Sequence, residues 1–308
     1  MKIAVVGTGA MGSVYAALLA DAGNEVWAID AWPEHVAAMT ESGLRVEGAS
    51  GDRTVRLNAT TSAADAGPCD LVIIATKAMH VAQAAADARD LIGADTTVLT
   101  IQNGLGSADK VADALGPERV TIGVVGGFGA SMKGPGHAHH NGMELVRLGE
   151  RDGPATPRLE RVAQVWRDAG FNVRTFDDIH RMIWEKLICN VCFSGTCAVT
   201  ELTVGEVIAN DDAWRVASGC AAEAYKVARA KNIALDFSEP VAYVRAFGEK
   251  IPNARPSMLL DLLEGRRSEI DVINGAIPVA ARAVGIDTPY NDVVTALVKA
   301  KEARLGLR

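Results

Sequence analysis

Along the first 176 residues, short runs of β-branched and apolar residues alternate with stretches whose apolar positions recur at helical spacing. The runs are Ile3–Val6, Glu25–Asp30, Leu71–Thr76, Thr97–Ile101, Val120–Val125, Leu145–Leu148 and Asn172–Phe176. Several of them, such as LVIIAT and TVLTI, are apolar throughout, which suits strands covered on both faces. Strand and helix in alternation predict βαβ units on a mostly parallel sheet. From about Asp177 the strand-like runs stop. Helical spacing continues through Ile179–Val199, Ala213–Lys231, Ser238–Phe247, Met258–Glu264, Glu269–Val284 and Tyr290–Leu305. The pattern therefore predicts an α/β domain with a doubly wound sheet over residues 1–176 and an all-α domain over 177–308. The junction at Phe176-Asp177-Asp178 has no Gly/Ser-rich linker, so the domains are expected to pack closely and enclose a cleft.

Composition narrows the function classes. A chain of 308 residues is long enough for two cores. Its net charge of −7, with no long Lys/Arg cluster, argues against a nucleic-acid partner. No apolar stretch reaches the roughly 18 residues a membrane helix needs, and the N-terminus enters a strand directly, so a cytoplasmic protein without membrane contact is expected. The odd number of cysteines, five, in a long chain argues against a disulfide framework. Cys189-x-x-Cys192 sits in an apolar helical run without ligand-spaced partners and reads as core packing.

The opening MKIAVVGTGAMGSVYAALLADAG is a strand, then Gly7-x-Gly9-x-x-Gly12, then an amphipathic helix. Glycines there permit a tight turn, close approach to a pyrophosphate and close helix–strand packing, and the helix N-terminus offers free N–H groups. The strand–turn–helix context makes this a Rossmann-type dinucleotide site, with Gly7, Gly9, Ala10, Met11 and Gly12 as cofactor-binding residues. Strand two ends in Asp30, whose carboxylate suits the ribose diol of NAD and repels the 2′-phosphate of NADP. Of NAD(H) and NADP(H), it favours NAD(H). Lys77, after LVIIAT, is in reach of a ribose or phosphate and works against that preference.

In the second half, Lys186, Asn190 and Ser194 recur at i, i+4 and i+8 on one face of an otherwise apolar helix. Unpartnered, each polar group would be costly to bury. The stripe either pairs within the protein or lines a wet pocket. Ser257, after Pro256, reads as a helix N-cap, a geometry that also suits a carboxylate ligand. Glu269 reads as a first-turn acid.

Other features read more plainly. His137-Ala138-His139-His140 falls in KGPGHAHHNG, expected as a Gly/Pro-rich loop that borders the active site, and no metal site is expected there. His180 is expected to cap a helix or pack between domains. Gly126-Gly127-Phe128-Gly129 is expected either to touch the nicotinamide side or to serve as a flexible connection.

Together, GTGAMG at 7–12, ATKA at 75–78, QNGLG at 102–106, WEKLICN at 184–190, PSML at 256–259, EIDVINGAI at 269–277 and Thr288-Pro289-Tyr290-Asn291 resemble the ketopantoate reductase family. The resemblance spans nearly the whole chain. It implies a catalytic lysine at Lys186 that protonates the ketone oxygen as hydride arrives, with Asn190 binding substrate on the same helix face. It also implies an acid at Glu269 near the reacting carbonyl and the cofactor, Ser257 on the substrate carboxylate, and Asn103 beside the nicotinamide. Two positions depart from the family: a second asparagine one turn past Asn190 is replaced by the shorter Ser194, and a basic residue after strand two by Asp30. Both set specificity. A D-2-hydroxyacid dehydrogenase using NADH on another branched or aromatic 2-keto acid is therefore the alternative.

A dinucleotide-binding sensor would not need Lys186, Asn190 and Glu269. A β-hydroxyacid dehydrogenase would share the two-domain plan, but QNGLG and EIDVINGAI favour the ketopantoate type. Tyr290–Leu305 offers a face for a homodimer, though packing within the monomer explains it equally well.

Overall fold

The computed structural model describes residues 1–127, 129–142 and 144–307. The chain forms two compact units: Met1–Gln102 with Gly106–Ile179, and His180–Arg308 together with Asn103–Leu105.

The first unit opens with β1 (Lys2–Val6), α1 (Ala10–Asp21), β2 (Glu25–Ile29), α2 (Pro33–Ser42), β3 (Leu44–Gly48), β4 (Arg53–Val55) and β5 (Asn58–Thr60). It continues through α3 (Ala63–Ala66), β6 (Cys69–Ile74), α4 (Val81–Asp87), β7 (Ile92–Thr100), α5 (Ser107–Leu115) and β8 (Val120–Val125). It closes with β9 (Gly129–Gly134), β10 (His137–Gly142), β11 (Leu145–Glu150), α6 (Pro157–Asp168) and β12 (Asn172–Thr175). The main sheet has the order β12-β11-β8-β7-β6-β1-β2-β5, parallel except between β8 and β11.

Alternate residues of its central strands enter opposite cores, as the pleat requires. Ile3, Val5, Leu71 and Ile73 join Tyr15, Trp166 and Phe171 on one face, whereas Ala4, Val6, Val72 and Ile74 meet Val81, Ala85 and Val111 on the other. The Trp166 ring lies 5.0 Å from Tyr15 and 4.8 Å from Phe171. Val6 pairs with Ile29 on one side and Ile74 on the other, so β1, β2 and β6 end level. The chain leaves β1 toward β2 and returns to β6 on the far side, the switch point at which doubly wound sheets open a ligand crevice.

A second sheet, β4-β3-β10-β9, was not foreseen. It corrects two expectations. KGPGHAHHNG is not a loop: it forms the end of β9, a turn and β10, with Ala138 and His140 buried and His137 and His139 half-exposed. Cross-strand backbone bonding decided this against a Gly- and His-rich composition. Nor is α1 amphipathic, since Gly12 through Leu19 are all buried. The main sheet covers one side, and Leu44, Val46, Val55 and Ala138 of the second sheet belong to the same core.

The second unit contains α7 (Ile179–Thr200), α8 (Val204–Ala209), α9 (Asp211–Ala230), α10 (Pro240–Glu249), α11 (Ser257–Leu263), α12 (Ala276–Arg282) and α13 (Pro289–Arg304). α8 was missed, although Thr203 and Glu206 form a capping box at its start. The helix expected over Glu269–Val284 begins only at Ala276, behind irregular turns at 270–275. Pro278 has no N–H and is tolerated only in a first turn, which sets the helix start. Packing of α13 buries Val294 and Val298 and exposes Val293 and Leu297. Among the described residues, no helix is long and apolar enough to cross a membrane.

Candidate active site

The three glycines after β1 have different duties. Gly7 has φ +89°, and a Cβ there would lie 2.7 Å from the Thr76 amide nitrogen, so only glycine lets β1 and the end of β6 approach. A Cβ at Gly12 would collide with the Gly7 carbonyl. Gly9 is exposed with nothing within 4 Å of its Cβ position, which leaves backbone open to a ligand at the start of α1. Ala10 and Met11 form the first turn of that helix.

Asp30, half-buried at the end of β2, accepts from the Trp32 amide at 3.0 Å and from Thr8 Oγ1 at 3.4 Å. Lys77 lies just beyond β6, partly buried. Strand register thus places the glycine turn, Asp30 and Lys77 together at the carboxyl ends of β1, β2 and β6. An open cradle of N–H groups with a carboxylate beside it fits a nicotinamide dinucleotide, pyrophosphate at the turn and ribose at Asp30. Gln102, just past β7 and not singled out from sequence, ties that strand end to the end of β6: its Nε2 donates to the Ile74 carbonyl at 2.6 Å and to that of Thr76 at 3.1 Å.

In the second unit, α7 carries Lys186, Asn190 and Ser194 on one face. Lys186 and Asn190 are half-buried and Ser194 is 5% exposed. Lys186 Nζ donates to Asn103 Oδ1 at 2.6 Å, so at least one member of the stripe pairs within the protein. Asn103 is held there by a seat. The Leu105 amide donates to the Val272 carbonyl at 3.0 Å, and a Cβ at Gly104, φ +80°, would run into that same carbonyl. Val272 belongs to the turn that Glu269 opens: the Glu269 carbonyl accepts from the Val272 and Ile273 amides, each at 3.2 Å, and the residue is 8% exposed. The fold thereby assembles Lys186, Asn103 and the Glu269 turn from segments far apart in sequence.

Beneath this turn lies a polar network that the sequence did not advertise. Asn274 Nδ2 donates to the Val191 carbonyl at 2.9 Å and to Asn291 Oδ1 at 3.0 Å. The buried Glu223 carboxylate accepts from the Tyr290 and Asn291 amides and from Asn291 Nδ2. It caps α13 as an acid at a helix N-terminus should.

Two expectations need correction. Ser257 is no N-cap: it is the first residue of α11, exposed, and Pro256 occupies the cap without a side-chain bond. Glu269 is not a first-turn acid, because its segment is not helical.

Elsewhere, His137 Nε2 and His139 Nδ1 approach Glu47 at 3.2 and 3.4 Å, and His140 Nδ1 lies 3.0 Å from Ser50 Oγ. Among the described residues, no group of three or more His, Cys, Asp and Glu side chains is arranged to hold a metal ion. His180 is exposed in the first turn of α7. In Gly126-Gly127-Phe128-Gly129, Phe128 lies outside the described residues. All five cysteines are buried and free of disulfides, and burial pushes the Cys189 and Cys197 thiols up to about 12.

Known proteins share this sequence pattern and this fold. A family model described as ketopantoate reductase PanE/ApbA matches residues 3–153, and the model of its C-terminal domain matches 178–302. A 2-dehydropantoate 2-reductase of Streptococcus pyogenes serotype M3 is 32% identical over 309 residues, all of each chain. The crystal structure of a PanE/ApbA family ketopantoate reductase from Ralstonia eutropha JMP134 superposes with TM-score 0.91 at 33% identity, over 99% of this chain and all of that one. A ternary structure of D-mandelate dehydrogenase with NADH and anilino(oxo)acetate superposes with TM-score 0.90 at 32% identity, over all of both chains.

Proposed function

The chain belongs to the ketopantoate reductase family, and from that premise we propose that it reduces a 2-keto acid to the 2-hydroxy acid, with ketopantoate as the first candidate substrate. It is an NAD(P)-dependent oxidoreductase acting on a CH–OH group. The observation that carries the proposal is the 2.6 Å bond from Lys186 Nζ to Asn103 Oδ1.

The bound dinucleotide supplies the hydride. As the ketone carbon gains it, negative charge gathers on oxygen, and Lys186 stabilises that charge and then gives up a proton. Asn103, an acceptor for one ammonium hydrogen, aims the others. Glu269 sits near the reacting carbonyl or hydroxyl group, Asn190 and Ser194 continue the substrate face of α7, and Ser257 with the free N–H groups of α11 meets the substrate carboxylate. Gly7, Gly9, Ala10, Met11, Gly12, Asp30 and Lys77 hold the dinucleotide, and Asp30 supports NADH over NADPH.

A second reading has its own support. Ser194, small and buried, leaves more room than an asparagine would, and the likeness to D-mandelate dehydrogenase suits an aromatic or branched 2-keto acid in that room. Steady-state kinetics with ketopantoate and with branched and aromatic 2-keto acids, each with NADH and NADPH, decide between the readings. A kcat/KM with NADPH well above that with NADH overturns the role of Asp30, and no turnover of any 2-keto acid overturns the reaction.

A further inference from the structure

His35 has no counterpart in the reasoning from sequence, yet it is fully buried beside the glycine turn. Its Nδ1 accepts from the Gly136 amide in the β9–β10 turn at 2.8 Å. That bond leaves Nδ1 unprotonated, so the proton of the neutral ring sits on Nε2, which is 2.9 Å from the Thr8 carbonyl. Ser13 Oγ donates to the same carbonyl at 2.6 Å. The indole of Trp32 stacks on the imidazole, 5.3 Å between centroids and 22° between planes.

The consequence follows from peptide geometry. Thr8 and Gly9 share a planar trans peptide, in which C=O and N–H point to opposite sides. Pinning the Thr8 carbonyl inward turns the Gly9 N–H to the opposite side, and Gly9 itself is exposed, with nothing within 4 Å of the place a Cβ would take. We infer that His35 is a positioning residue for dinucleotide binding: through its contacts to Gly136 and Thr8, the second sheet fixes the direction in which the Gly9 amide faces a pyrophosphate. The inference rests on the reading of the glycine turn as a dinucleotide site.

Protonation probes it selectively. A charged ring turns Nδ1 into a donor facing the Gly136 N–H, and the bridge is lost. Burial holds the imidazole below its ordinary range, with the Thr8 carbonyl and the Asp30 charge pulling the other way. Asp30 is the charged group acting on the ring. From α1, the glycine turn and the hairpin, the atoms facing it are Ser13 Oγ, the Thr8 carbonyl and the Gly136 amide. Because the folded state lowers the affinity for this proton, the bridge is intact at neutral pH and fails as pH falls through the lowered value.

The test is the Kd of NAD⁺, which tolerates acid, measured by calorimetry from neutral pH down to the lowest pH at which the chain still melts cooperatively, on the wild-type chain, His35→Gln and His35→Leu. Wild-type affinity is expected to fall about tenfold on the acid side, the scale of one or two hydrogen bonds. His35→Gln keeps a donor for Thr8 and cannot titrate, so it loses that acid-dependent fall. His35→Leu binds about tenfold more weakly at neutral pH while still melting cooperatively. A folded His35→Leu that binds as the wild type does, or a wild-type acid-side fall that His35→Gln shows equally, overturns the inference and leaves the dinucleotide site standing. A wild-type chain that binds no dinucleotide overturns both.

Discussion

Replacing Lys186 by alanine removes the proposed proton donor and leaves Asn103 Oδ1 without the ammonium it holds at 2.6 Å. General acid catalysis contributes about 10²- to 10⁴-fold, which at about 1.4 kcal/mol per decade raises the barrier by roughly 3–5 kcal/mol. The effect on stability is smaller. A hydrogen bond to a charged group is worth about 1.5–3 kcal/mol when dry, but both residues are half-buried and water takes up the vacated partner, so about 1 kcal/mol is expected, or a few degrees in Tm. The glycine turn, Asp30 and Lys77, proposed to hold the pyrophosphate and ribose, lie in the first unit, so NADH affinity should change little even though Asn103, proposed beside the nicotinamide, loses its lysine. Single-turnover decay of reduced-nicotinamide absorbance, with a separate Kd for NADH from fluorescence, separates these quantities. Lys186→Arg sharpens the test, because arginine keeps the charge and does not release a proton in proteins. Turnover close to wild type in the alanine variant refutes the mechanism. Full activity in the arginine variant alone reduces the lysine to an electrostatic role.

Gly104→Ala should lower kcat about tenfold or more with the NADH Kd unchanged, since a left-handed alanine costs about 1–2 kcal/mol and its Cβ meets the Val272 carbonyl that seats Asn103; an unchanged kcat would show that the seat is irrelevant. At mildly alkaline pH the native thiols should resist Ellman's reagent, because Cys189 and Cys197 are pushed up to about 12 by burial and carry almost no thiolate. All five should react once the chain is unfolded, and rapid labelling of any one in the native state counts against the buried assignment.

The central strands, the glycine turn and the lysine stripe were legible because each rests on local chemistry. A glycine is needed where φ is positive or backbone must approach, and apolar period reports how many faces are covered. Legibility failed where short-range signals were weak or contradictory. Strands β3, β4, β9 and β10 are short and carry Gly, Arg, His and Glu, so their pairing was invisible along the chain. Glu269 sits in a turn that looks helical by spacing, and only Pro278 warned of the break.

Residue order was enough to specify two successive architectures, a dinucleotide turn and a helix bearing a lysine, because helix and strand periods and glycine requirements act over a few positions. Bringing Asn103 to Lys186 across 83 residues, seating it on Val272, and bracing Thr8 through His35 from a hairpin 101 residues away were matters for the folded chain. Those contacts depend on which surfaces meet in three dimensions, and no local period records that.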